Sequence, residues 1–103
     1  MSEVKEYLPI GSVVLLKDAQ KKVMITGYTP IDMENKNKIY EYLGCVFPEG
    51  IIKSDENILF DTKDIDKIFF KGFVNEEQEN FITEVKEILE NEEKKKQILN
   101  EIK

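Results

Sequence analysis

The chain has 103 residues, 41% apolar and 35% charged, with 21 Asp and Glu against 15 Lys and Arg, a net charge of −6 and a pI near 4.8. That length holds one core, and the acidic balance argues against nucleic acid, which needs clustered cations to release counterions, and against an anionic membrane surface. A single cysteine and no histidine exclude an internal disulfide and remove the usual general base and the commonest metal ligand.

The expected organisation is a single domain over 1–103: an N-terminal arm over 1–7, a β-rich core over 8–73 and a C-terminal helix over 75–103. Leu8-Pro9-Ile10-Gly11 reads as a turn launching a first strand, Ser12-Val13-Val14-Leu15-Leu16, which is too short and β-branched for a helix. Lys17 to Lys21 is a polar hairpin connection, and Val23-Met24-Ile25-Thr26-Gly27-Tyr28 a second strand in which Gly27 marks a bulge. Thr29-Pro30 ends it, and a polar loop follows to Lys38. Residues 39–47 then form an aromatic third strand with Tyr40, Tyr42, Gly44 and Val46 on one face. Pro48-Glu49-Gly50 is a turn, with glycine free to take positive φ.

After an irregular crossing, Ile58-Leu59-Phe60 is a short apolar segment that Asp61 closes by capping one helical turn. A last strand is expected over 67–73, with Lys67 and Lys71 at its shoulders to discourage edge pairing. Asn75 is a strong N-cap, followed by Glu76, Glu77 and Gln78. Phe81, Ile82, Val85, Ile88 and Leu89 then form one apolar helical stripe, whose burial on the sheet would contribute on the order of 10 kcal/mol before chain entropy. Eight polar residues follow, so the helix is expected to run on into solvent or onto a partner after residue 90. The fold class is therefore α+β: a mainly antiparallel sheet of four to five strands, with strong curvature admitted, and a C-terminal helix packed on it.

No residue pattern supports catalysis, a metal or a cofactor. Asp61, Asp64 and Asp66 lack the further oxygen ligands of a calcium loop and read as a cap plus solvated acids. Cys45, in an apolar strand without a histidine, reads as a buried inert thiol. Phenylalanines are assigned to the core, whereas tyrosines, enriched at interfaces, divide between core and contact surface.

Four strings appear in order: Leu8-Pro9-Ile10-Gly11-Ser12-Val13-Val14-Leu15, Met24-Ile25-Thr26-Gly27-Tyr28, Tyr42-Leu43-Gly44-Cys45-Val46-Phe47-Pro48-Glu49-Gly50, and Asp64-Ile65-Asp66-Lys67-Ile68-Phe69-Phe70-Lys71-Gly72-Phe73. Together they resemble the EsaE-type chaperone and adaptor family of type VII secretion loci in Gram-positive bacteria, a small domain of long-unassigned function. The resemblance implies a cytoplasmic chaperone or targeting adaptor for a secreted toxin, LXG-like or nuclease, bound through its helical N-terminal region and accompanied by small helical co-factors. An immunity protein that blocks a toxin domain is the alternative; it calls for a concentrated acidic face. A partner contact is expected around Tyr28, Pro30, Tyr40 and Tyr42, with Ile98, Leu99 and Ile102, which lack an evident place in the core, as a second element.

Overall fold

A computed structural model of the chain describes residues 7–32, 34 and 38–101. The short apolar runs form five strands: β1 (Val13–Leu16), β2 (Val23–Tyr28), β3 (Tyr42–Val46), β4 (Ile58–Phe60) and β5 (Ile65–Phe70). Two helices follow, α1 (Glu76–Leu89) and α2 (Glu92–Glu101). The sheet order is β4-β3-β2-β1-β5, antiparallel throughout. The fold is thus α+β, as the pattern of runs and turns implies.

Connectivity bends this sheet. β4 and β5 lie at opposite edges, yet only residues 61–64 join them. Four neighbouring spacings in a flat sheet would separate the edges by about 19 Å, while five extended residues reach at most about 18 Å. Part of that connector is wound into a 3₁₀ turn, Thr62–Asp64, so the sheet must curl to bring its edges together. Asp61 begins the turn as its sequence position suggests: the Asp64 carboxylate accepts its N–H at 2.9 Å.

Gly27 sits at a bulge, because Ile25 pairs with Gly44 but Gly27 with Leu43. Gly44 allows the closest packing in the sheet: a Cβ there would lie 2.7 Å from the Val23 side chain and 2.8 Å from the Met24 carbonyl oxygen. The third strand starts at Tyr42 rather than at residue 39. The Glu41 N–H is taken by the Asp61 carboxylate (2.9 Å), and the Glu41 carboxylate accepts the Thr62 N–H (2.7 Å), so Glu41 is tied to the 3₁₀ turn and the ladder begins one residue later. The last strand likewise runs over Ile65–Phe70, not 67–73. It is an edge strand, and its pairing with β1 is interrupted twice, leaving Phe69 and Asp66 as extra residues. Bulges and lysines both blunt an edge.

Val14, Val23, Ile25, Tyr42 and Phe60 join Tyr7, Ile39, Val85 and Leu89 in one core. Tyr7 therefore belongs to the core and not to an arm. Tyr42 stacks on Phe60 (ring centroids 5.2 Å apart) and meets Tyr7 edge to face (6.2 Å). The chain over 7–10 crosses this core outside any ladder, so its backbone polar groups need other partners. Tyrosine hydroxyls provide them: Tyr42 Oη accepts the Leu8 N–H at 2.9 Å, and the Tyr28 hydroxyl donates to the Leu8 carbonyl at 2.5 Å. Pro9, fully buried, brings no N–H that would require one.

α1 begins where expected, with the Asn75 side chain accepting the Gln78 N–H at 2.9 Å. The helix does not continue through residue 90. Asn91 starts a second helix, its side-chain oxygen accepting from the Glu93 and Lys94 N–H groups at 3.0 and 3.2 Å. Asparagine competes for backbone donors in this way, which makes it a cap rather than a mid-helix residue. The break lets α2 return to the domain, and Ile98 and Leu99 pack on the core, half-buried. No described helix is long and apolar enough to cross a membrane.

Candidate functional site: an acid-rimmed apolar cleft

Ile82, Val85 and Leu89 follow one another at helical intervals and face the sheet, so Glu77, Phe81 and Glu84 form a neighbouring stripe along α1. Phe81, expected in the core stripe, lies on this second stripe and is 50% exposed. Its ring sits 6.0 Å from that of Tyr28.

The opposite wall is built by a close backbone approach. Gly72 donates its N–H to the hydroxyl of buried Ser12 at 2.9 Å. A Cβ at Gly72 would collide with the Ile10 carbonyl oxygen, so only glycine lets the exit from β5 lie against the turn that precedes β1. The turn is held from its other side by the Gly11 N–H, which donates to the Ile25 carbonyl at 2.8 Å. Phe73 and Ile10 are thereby brought side by side at the start of α1. Both are open to solvent, Phe73 at 76% and Ile10 at 52%.

The result is a cleft of about 660 Å³ with Ile10, Tyr28, Phe73 and Phe81 as its apolar surface. Asn75, Gln78 and Asn80 supply amides, and Glu77 and Glu84 are its charged residues. Burial, and then the neighbouring Tyr42, push the Tyr28 hydroxyl up to about 12. Tyr28 thus remains a neutral donor to Leu8 and adds no charge to the cleft. A second cleft, about 730 Å³, lies on the other flank of α1 between Leu8, Ile65, Ile68, Val74 and Ile82. Its charges are mixed, with Asp66 and Glu79 beside Lys71 and Lys86.

Of the residues expected to contact a partner, Tyr28 reaches the first cleft, half-buried. Pro30 and Tyr40 are half-buried and line neither cleft; they are joined to each other by the Tyr40 N–H and Pro30 carbonyl (2.9 Å), with Lys38 Nζ 4.8 Å from the Tyr40 ring centre. Tyr42 is fully buried and belongs to the core, where its ring and hydroxyl are both engaged. Ile98 and Leu99 have an intramolecular place after all, and Ile102 lies outside the described residues. Ile10 and Phe73 were not anticipated. Their signal is positional: each stands in a short connector, and connectors run over the surface.

Chemically the cleft offers rings, aliphatic groups, amides and two carboxylates. Among the described residues no group of three or more His, Cys, Asp or Glu is placed to hold a metal ion. Asp61 instead serves backbone donors and Lys38 Nζ (3.4 Å), and Cys45 is buried in β3. Such a surface can bind a partner through apolar contact with an acidic margin.

The sequence pattern of a family described as a domain of unknown function, DUF4176, matches residues 7–81. The chain belongs to that family. The DUF4176 region takes in all five strands and the first turns of α1, ending at Phe81 and leaving Glu84 of the cleft just outside it. No curated protein and no solved structure matches the chain.

Proposed function

We propose that this DUF4176 protein is a cytoplasmic, non-enzymatic chaperone or targeting adaptor that binds a type VII-secreted toxin through the toxin's helical N-terminal region. One observation carries the reading. Ile10, Phe73 and Phe81 are exposed together in a cleft, on a domain whose own core is already filled by Tyr42, Phe60, Ile25 and Val14. A contiguous exposed apolar patch on a small domain marks an interaction site. The resemblance of the four strings to EsaE-type proteins supports a toxin as the partner. The mixed, widely spread acids elsewhere on the surface give an immunity role less support.

The test is co-expression of the full chain with the toxin and, separately, with its N-terminal and C-terminal halves, followed by calorimetry on any complex. Capture of the N-terminal half is expected, with Phe73→Ala weakening it by about 1–3 kcal/mol. Capture of the C-terminal half alone, with loss of toxicity, would establish an immunity protein instead.

A further inference from the structure

We propose that the cleft between α1 and the Ile10 turn takes an amphipathic helix whose apolar ridge is flanked by Lys or Arg. The inference rests on the reading of this cleft as a protein-binding site and adds the chemistry of the segment that enters it.

Charge distribution carries the first half of the argument. The chain has 15 basic residues, all lysine, yet among the described residues none lines this cleft, where Glu77 and Glu84 stand one on each side of Phe81 along the helix. The cleft on the other flank of the same helix holds Lys71 and Lys86 among its acids. Both flanks carry apolar side chains, but the charges of one are mixed and those of the other are acidic. Over Glu76–Leu89 the helix carries five glutamates against Lys86 alone, inside a chain of net charge −6. A cation arriving near Phe81 therefore meets attraction from both rim carboxylates and from the wider field, whereas an anion meets repulsion.

Backbone accounting carries the second half. An extended segment would have to complete its hydrogen bonds on an open sheet edge. The nearest edge, β5, is twice bulged, with Lys67 inside it and Lys71 just after it, so it offers no regular ladder. A helix satisfies its own backbone and needs only places for side chains at i, i+3 or i+4 and i+7. Ile10, Phe73 and Phe81 provide an apolar surface for such a ridge.

Synthetic helical peptides with one common Leu/Phe ridge and flanks of Lys, Gln or Glu provide the test, titrated by fluorescence anisotropy against the full chain. The Lys-flanked peptide is expected to bind about tenfold more tightly than the Glu-flanked one at low salt, and the gap should shrink as salt rises. Glu77→Lys with Glu84→Lys should reverse the order, while Phe73→Ala should weaken all three and leave the circular dichroism spectrum unchanged. Equal binding across flanks, an unaltered order in the double variant, or tighter binding of an extended peptide of the same composition would overturn the proposal. These outcomes are separable from the fate of the toxin reading: a toxin bound without charge preference refutes the basic helix alone, and charge-selective peptide binding without toxin capture refutes the toxin alone.

Discussion

Tyr42 and Phe73 occupy opposite extremes of solvent exposure, the first sealed in the core between Tyr7, Tyr28 and Phe60 and the second 76% open at the mouth of a cleft. The more polar ring is inside and the fully apolar one outside. Tyr42 is inside because its hydroxyl solves a local problem: residues 7–10 traverse the core without a ladder, and Leu8 needs an acceptor for its N–H. Phenylalanine in that place would leave the donor without this partner. Phe73 is outside because Gly72 clamps the chain against the Ile10 turn and the Asn75 cap starts α1 two residues later, leaving no room to turn the ring inward. Hydrophobicity alone orders neither residue; hydrogen-bond demand and chain connection do.

The contrast can be broken most directly at Tyr42. Replacement by alanine should cost about 3–5 kcal/mol, since it opens a cavity against Phe60 and Tyr7 and frees the Leu8 N–H. Urea denaturation measures this, and a loss below about 1 kcal/mol would mean the ring is no part of the core. Gly72→Ala should come next, at about 1–3 kcal/mol, because the added methyl meets backbone that cannot yield like a side chain. It should also weaken binding in the cleft, since Phe73 moves with it; unchanged stability would show that the approach of Gly72 to Ile10 is looser than described.

Tyr28 sharpens the comparison through pH. Its folded-state value of about 12 lies above the ordinary 10.0, so folding favours the protonated ring. The contribution is complete below about pH 10 and is lost as pH rises through the folded value. Wild type should therefore lose more stability than Tyr28→Phe between about pH 9 and pH 11, lysine titration being common to both. Equal losses would place Tyr28 in water. The smallest effect is expected for Phe73→Ala, within about 0.5 kcal/mol in denaturation, although the same substitution should impair partner binding. A large destabilisation there would make Phe73 a core residue and remove the cleft as a site.

Features set by near neighbours were legible without a structure. The Asn75 cap, the Asp61 turn, the Gly27 bulge, positive φ at Gly50 (+81°) and burial of Cys45 all appear as expected. Each depends on residue types within about four positions, or on an apolar run in one strand, and those preferences act before any distant contact forms. Asn91 could have been read in the same way, since asparagine ahead of Glu92 and Glu93 is a capping pattern; the polar run around it concealed the break.

Coverage was decided elsewhere. Period-2 alternation placed Tyr40 and Tyr42 on one strand face, but Glu41 is bound to Asp61 and Thr62, some twenty residues away, and that contact ends the regular strand between the two tyrosines. Phe81 satisfied the helical period for core burial, yet the helix settles with Ile82, Val85 and Leu89 inward and Phe81 half exposed. Composition and short-range pattern thus determined the α+β class, the place of each strand in the chain, the start of α1 and its acidity. Which rings are covered, and that Ile10, Phe73 and Phe81 meet at an acid-rimmed cleft, depended on the four-residue link that curls the sheet and on the Gly72–Ile10 approach. Both bring together residues far apart in the chain, and no local preference encodes the distance between them.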